Sequence, residues 1–360
     1  MSLIEEKTFR RATINDAKAL ADLAANAFPG YPFTRIYDPE QVAQGISGGE
    51  YRIVAEMPTL GIVATAVLGL GSVMAEVKRE IVAMEQRGNG IASDMTAKLV
   101  EDAKELDLIC YTDARADQPG MQRAALKSGQ KAYSLEPGKH VVYSHNEESV
   151  EKGPARETMV HLSSLILDEN DLFEQLQAWP HEIREYLLAN LWQSFAPEPK
   201  DPHIAASTLT NPERIAANIH DKLASLDKLN IVTPDQDIEI IFFDHSSLMI
   251  IKPDASGFIT SLTKNGLPTI LTIGERAGLQ VITYYGDVDD VDEATMLFHA
   301  GMKPVMIRPW KKDYLTQAGW QVGWQKTMND YENCLHGIKL HPEVEDQLKK
   351  FYQRLESHII

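Results

Sequence analysis

The stretch Glu85-Gln86-Arg87-Gly88-Asn89-Gly90-Ile91-Ala92 constrains this chain more than any other. An apolar run ending Ile81-Val82-Ala83-Met84 precedes it. A helical pattern follows at 93–106, with Met95, Leu99 and Ala103 on one face. The order is strand, glycine turn, helix. Such a turn leaves backbone N–H groups without partners at a helix N-terminus, where the dipole favours an anion. Gly88 and Gly90 let the backbone approach a ligand that a side chain would block. Arg87 can add charge-assisted hydrogen bonds to a phosphate. No Gly-Lys-Ser/Thr follows, so this is not a Walker loop. No βαβ start lies upstream and the spacing is wrong, which disfavours a Rossmann fingerprint. The alternative is an ordinary tight loop with glycines.

The neighbouring segments set the turn in a mixed α/β fold. Residues 7–11 read as a strand. Thr13 and Asp16 then cap a helix with apolar positions Ala17, Leu20, Leu23, Ala24 and Ala27, ended by Pro29-Gly30. Segments 51–56, 61–69 and 73–84 read as three antiparallel strands. A strand at 108–112, a helix at 118–127 closed by Gly129, and strands at 131–135 and 140–143 follow, the last two joined by a turn at Pro137-Gly138.

Arg87-x-x-Gly90-x-Ala92 resembles the acyl-CoA loop of the GNAT superfamily of N-acetyltransferases, and the element order β-α-β-β-β-α-β-α-β matches the GNAT plan. The resemblance covers roughly residues 9–143. It implies that Arg87, Gly88, Asn89, Gly90, Ile91 and Ala92 hold the pyrophosphate of acetyl-CoA, the expected co-substrate. It also implies that the pantetheine arm lies along the backbone of Val82, Ala83 and Met84. The aromatic, proline-rich connection holding Tyr31 and Phe33 would wall the acceptor pocket; its plainer reading is a rigid surface loop.

An attacking amine must be neutral, so a base is needed. Glu76, near the start of the strand that ends in the loop, is the expected base. Glu80 is the runner-up, placed on the same face by the period of two. Either could instead pair with Lys78 or Arg79. The family's usual leaving-group acid is a tyrosine four residues before the glycine that closes the last helix. That position here is Ala125, a departure from the pattern; Tyr133 or Tyr143 could replace it. Arg115 or Lys139 could bind a substrate carboxylate, with a salt bridge or an exposed loop position as the structural alternative for Arg115.

Residues 144–157 are polar and read as a linker. Helical patterns at 168–177, 180–195 and 212–229 follow, then strands at 237–244, 247–253 and 257–262. A helix at 267–277, a strand at 279–285, a helix at 292–299 and a strand at 305–308 complete the pattern. Gly129 and Gly301 lie 172 residues apart (301 − 129), and Lys127-Ser128-Gly129-Gln130-Lys131 falls on His299-Ala300-Gly301-Met302-Lys303 at that offset. A repeat at this scale means duplicated domains. The expected division is 1–145 for the acyl-CoA-binding domain, 146–157 for the linker and 158–360 for a degenerate second GNAT-like copy. That copy lacks a glycine loop between Ile259 and Gly266, and would close the acceptor site. The arrangement resembles tandem-GNAT enzymes. A last charged helix at 342–356 either packs back or mediates dimerisation.

A net charge of −17 argues against nucleic acid, which needs a basic face. Hydrophobic content of 44% and charged content of 24% fit a soluble globular protein, and 360 residues fit two domains. The longest uncharged run, 60–75, is shorter than the ~20 residues of a membrane span. The first residues are no secretory signal. Cys110 and Cys334 are the only cysteines, so neither a disulfide framework nor a zinc pair is expected, and a cytoplasmic setting fits. The acidic cluster Asp287, Asp289, Asp290 and Asp292 fails the calcium-loop pattern. His181, His203, His220, His245 and His299 show no metal-binding spacing, so no metal is expected. The expected function is an acyl-CoA-dependent N-acyltransferase acting on a small amine or amino-acid-like acceptor, as monomer or homodimer. The rivals are a non-catalytic acyl-CoA sensor and an interaction protein.

Overall fold

A computed structural model describes residues 7–31, 33–141, 156–193, 195, 230–235, 237–243, 245–252, 255–263, 265–311, 318–328 and 338–359. Tyr143, most of the expected linker, the helix expected at 212–229, His203 and His220 lie outside the described residues.

The chain forms two seven-stranded sheets. The first contains β1 (Thr8–Arg11), β2 (Tyr51–Met57), β3 (Gly61–Leu70), β4 (Met74–Val82), β5 (Ile109–Arg115), β6 (Lys131–Val141) and β7 (Arg156–Ser163), in spatial order β1-β2-β3-β4-β5-β7-β6. All its neighbours are antiparallel except β4 and β5. The second holds β8 (Asn230–Asp235), β9 (Ile238–Phe243), β10 (Ser246–Ile251), β11 (Ser256–Ser261), β12 (Val281–Asp287), β13 (Lys303–Trp310) and β14 (Gly319–Thr327). Its order, β8-β9-β10-β11-β12-β14-β13, repeats the first strand for strand, and β11–β12 is again the parallel pair. Strands β5 and β12 lie 172 residues apart (281 − 109), as do helices α4 (Pro119–Lys127) and α8 (Val291–His299) (291 − 119). The strand order of the first sheet thus recurs in the second at the same offset as Gly129 and Gly301.

Helices α1 (Ala17–Ala27) and α2 (Pro39–Ser47) cover one face of the first sheet, and α3 (Ile91–Glu105) the other. Asp38 caps α2 by accepting from the Glu40 amide at 2.9 Å, with Pro39 at the position where a missing N–H costs nothing. Helix α3 buries Ile91, Met95, Leu99 and Ala103, spaced by four, against Ala75 and Val77 of β4. Burial of side chains such as Met95 and Leu99 stabilises by roughly 1.5–3 kcal/mol each.

Two expectations need correction. Strand β6 runs through Pro137-Gly138 without a hairpin; Gly138 at φ 65° and a register shift between Glu136 and His140 absorb the irregularity. The partner of β6 is then β7, which begins at Arg156, inside the segment read as linker and ahead of position 158. The charges of Arg156 and Glu157 looked solvated in the sequence. Arg156 is instead fully buried, donating to the carbonyls of Gly138 at 2.5 Å and Lys139 at 2.8 Å. A guanidinium with fixed donors is stable there because carbonyls meet them.

Helices α5 (Glu169–Gln177), α6 (His181–Gln193) and α9 (Pro342–Ile359) join one apolar cluster that spans both sheets. Trp179 stacks on Trp324 at 5.5 Å, and Phe351 on Trp320 at 6.0 Å. Helix α9 packs back on the chain. Its Gln347 and Tyr352 accept from the amides of Ala132 and Leu135 on the edge strand β6, which protects that edge from other strands. Among the described residues no helix is long and apolar enough to cross a membrane.

Candidate active site

Strand β4 ends at Val82, a single 3-10 turn spans Met84–Gln86, and α3 starts at Ile91. Between them Gly88 has φ 82° and Gly90 φ 77°, left-handed values that glycine adopts without penalty. A Cβ at either position would meet nothing within 4 Å, so the turn is open as well as kinked. The first backbone bond of α3 runs from the Asp94 amide to the Gly90 carbonyl at 3.1 Å. The amides of Gly88, Asn89, Gly90, Ile91, Ala92 and Ser93 meet no acceptor among the described residues. Gly88, Asn89 and Gly90 are exposed. A row of unpaired donors at a helix N-terminus fits a pyrophosphate. Arg87 folds back, donating Nε to the Val82 carbonyl and Nη2 to the Ala27 carbonyl, both at 3.3 Å. It therefore ties the end of α1 to the end of β4 beside the turn.

Below the turn the sheet opens. Strands β4 and β5 pair only from Met74 to Val77 against Ile109 to Thr112, although β4 continues to Val82 and β5 to Arg115. Beyond Val77 the β4 edge that faces β5 has no partner strand among the described residues. The second sheet opens at the same place, with pairing of β11 and β12 ending at Ile259 and Tyr284. At its turn, however, two of the described amides are engaged. The amide of Thr263 donates to Ser246 Oγ, and that of Gly266 to the Thr263 carbonyl. A Cβ on Gly266, at the start of α7 (Gly266–Ala277), would sit 2.1 Å from Ser246 Oγ.

A bulge in β4 overturns the shared face of Glu76 and Glu80. The register against β3 shifts between Thr65 and Val67, and Arg79 takes φ 51°. This is a strained value for a residue with a Cβ. Before the bulge Ala75 and Val77 face α3; after it Ile81 packs against Leu23, Ala24 and Ala27 of α1. Glu76 therefore opens on the α1 side, half-buried, with Lys78 Nζ 3.3 Å away. Glu80 turns toward α3, where Thr96 Oγ1 lies 3.0 Å from its Oε2 and Oε1 is buried without a partner. Burial pushes the Glu80 carboxyl up to about 8, against the hydrogen bond from Thr96. Thr96 also reaches the Ala92 carbonyl at 3.0 Å, and one hydroxyl proton cannot serve both. A protonated Glu80 that donates to Thr96 leaves the Thr96 hydroxyl proton free for the Ala92 carbonyl.

On the α1 side, Tyr31 and Phe33 stack obliquely with ring centroids 5.5 Å apart, and the Tyr31 amide donates to the Tyr37 hydroxyl at 2.5 Å. Glu50 holds Arg79 at 2.5 Å and Arg52 at 2.8 Å. Glu76 is in register with Tyr111 of β5, a residue the sequence reading passed over. Burial, then Glu76, raises the Tyr111 phenol well above its usual range, so it stays protonated. Two places further on, Asp113 takes Lys139 Nζ at 2.6 Å and His161 Nδ1 at 2.7 Å. Burial opposes its charge, but Lys139 and His161 hold the carboxyl well below the usual range. The period of two from Tyr111 to Asp113 was the available signal; His161 sat on the unrecognised β7.

Other expected site residues are committed elsewhere. Tyr133 is fully buried between Trp320 and Phe351 and donates to the Leu165 carbonyl at 2.9 Å, away from the opening. Arg115 lies 3.3 Å from Glu157. Lys139 bridges Asp113 and Glu136. Asp290 caps α8 by accepting from the Glu293 amide at 2.8 Å. Among the described residues no three His, Cys, Asp or Glu side chains gather as a metal site.

No protein-family model and no curated protein sequence matches the chain. Solved structures of GNAT acetyltransferases align with its N-terminal part. A ribosomal-protein-alanine N-acetyltransferase from Brucella melitensis is 18% identical over 44% of this chain and 99% of that one, with TM-score 0.36. An N-acetyltransferase from Staphylococcus aureus Mu50 is 17% identical over 44% and 96%, with TM-score 0.35. A GNAT superfamily phosphinothricin acetyltransferase from Sinorhizobium meliloti, in complex with AcCoA, is 14% identical over 44% and 86%, with TM-score 0.36. The strand order, the opening between β4 and β5 and the glycine turn carry the argument below.

Proposed function

We propose that the chain is an acyl-CoA-dependent N-acyltransferase of tandem GNAT plan, acting on a small amine. One observation carries this reading: the unpaired amides of Gly88 to Ser93 stand at the head of an opening between two parallel strands. A CoA thioester supplies an activated acyl group. The turn holds its pyrophosphate, and the free edge of β4 beyond Val77 takes its amide-bearing arm in strand fashion. In this reading the contact falls on the backbone near Val82 and Met84, since the Ala83 amide already donates to the Val63 carbonyl at 2.9 Å, and the arm brings the thioester to the α1 side.

Glu76 is the base in this reading. It is half-buried, faces the acceptor side and lies in register with Tyr111. It takes a proton from the acceptor ammonium, directly or through water. The neutral nitrogen attacks the carbonyl carbon, the C–S bond breaks, and the proton the nitrogen then sheds passes, directly or through water, to the departing thiolate, which leaves as the CoA thiol. Tyr111 is a protonated donor on the same face. Tyr31 and Phe33 form the outer wall, and the second sheet closes the site from β12 and β13. The second copy, with no glycine turn and with the amides of Thr263 and Gly266 engaged, is a support without its own CoA in this reading.

Titration with CoA followed by a thiol-release assay over an amine panel tests the reading. Tight CoA binding with release on at least one amine supports it. Binding without release on any amine favours a sensor, which the alanine at position 125 would explain.

A further inference from the structure

Among the described residues, Arg308 on β13 is a buried cation with no carboxylate bonded directly to it. It is 5% exposed. Its guanidinium lies 3.8 Å from the Tyr285 ring centroid and 4.1 Å from that of Trp310, held by its faces. The edge donors are nearly unused. Nη2 reaches Gln321 Oε1 at 3.4 Å, and Nε is buried with no acceptor. Asp287, the nearest carboxylate on β12, is reached only through Gln321, whose Nε2 donates to its Oδ1 at 3.2 Å, and the charges contributed by the first copy are paired among themselves. Asp113 has Lys139 and His161, Glu136 has Lys139 at 3.0 Å and Tyr285 at 2.7 Å, and Arg115 has Glu157. His161 Nε2 is also buried without a partner. A guanidinium stays charged at any relevant pH, so an unmatched one in such a place is costly until an anion arrives.

Its place in the fold links it to the acceptor side. Trp310 meets Tyr111 edge-on at 5.4 Å, and the next residue, Lys311, donates its amide to Met74 Sδ at 3.3 Å. Met74 and Glu76 share one face of β4 ahead of the bulge. The end of β13 therefore lies against the strand that carries the base.

We propose that Arg308 binds a carboxylate on the acceptor, so that the substrate is an amine that also carries a carboxylate group, with its nitrogen toward Glu76. This rests on the acyltransferase reading and gives the second copy a part in substrate recognition. A carboxylate suits the site better than a phosphate dianion. One planar fork matches two oxygens, and Lys139, the nearby cation, is already engaged by two carboxylates.

The test compares amino acids of several chain lengths with their decarboxylated amines, on the full chain and on R308Q and R308K. Wild type is expected to favour the carboxylated member of the best pair by about ten- to hundredfold in kcat/KM. Both variants should lose that preference through KM, with turnover of the decarboxylated amine kept within about twofold. R308K keeps charge and stem, so it guards against a folding failure. Equal losses on both members of a pair, or a wild-type preference for the decarboxylated amine, overturn the proposal. Calorimetry of the carboxylated amines against the CoA-bound protein reads the same site without turnover; unchanged affinity in R308Q also overturns it. If CoA does not bind, the acyltransferase reading falls by itself. Calorimetry on the CoA-free chain then decides the carboxylate site, supported by binding lost in R308Q and overturned by its absence in wild type.

Discussion

Tyr285 on β12 donates its hydroxyl proton to Glu136 on β6 at 2.7 Å, joining the second sheet to the first through a carboxylate that is 1% exposed. Lys139 holds the same carboxylate at 3.0 Å and Asp113 at 2.6 Å. Burial opposes the Lys139 charge, yet Asp113 and Glu136 raise it well above the usual lysine range. Tyr285→Phe should therefore cost about 1–3 kcal/mol, the penalty of leaving a buried acceptor short of a donor. Urea unfolding measures it. A wild-type midpoint in the variant would show that the two sheets do not depend on this contact.

Glu76→Gln keeps the size of the side chain and removes its basicity. Turnover should fall about 10²- to 10⁴-fold while CoA affinity stays put. A variant with wild-type kcat on every accepted amine would move the base elsewhere.

Glu80 gives the opposite sign. Its folded carboxyl titrates at about 8, above the ordinary glutamate value of 4.5. The folded state therefore binds the proton more tightly than the unfolded chain. This contribution is complete below the unfolded value and is lost as pH rises from there toward 8. Glu80→Gln should stabilise the protein at pH 7–8 by on the order of 1–3 kcal/mol, with the gain vanishing near the unfolded carboxyl value. Thermal unfolding across pH is the readout. A variant less stable at pH 8 would mean that Glu80 is folded as an anion.

Tyr133→Phe separates support from chemistry. It removes the bond to the Leu165 carbonyl and should cost about 1 kcal/mol with kcat unchanged. A hundredfold loss of kcat at preserved stability would restore Tyr133 as leaving-group acid.

The sequence made the glycine turn and the elements around it legible because both follow from local spacing. Periods of two and four place Ala75, Val77, Met95 and Leu99, and φ above zero needs glycine at 88 and 90. The same local rule failed at Glu80, where an inserted residue reverses the alternation. A bulge is set by pairing with β3, which no window along one strand contains. Strand β7 was hidden for a related reason. Arg156 is paid for by carbonyls of β6, contacts between segments that neighbour each other only after folding. Arg308 and His161 matter through what surrounds them, and spacing carries no trace of that.

The central claim is that the amides from Gly88 to Ser93 grip the diphosphate of a CoA thioester. Backbone amide NMR during a CoA titration observes those groups one by one. The account predicts saturable shifts centred on Gly88, Asn89, Gly90, Ile91, Ala92 and Ser93, with the corresponding amides of the second copy near Gly266 unmoved. Saturation of the protein with CoA while those six amides stay still would contradict it.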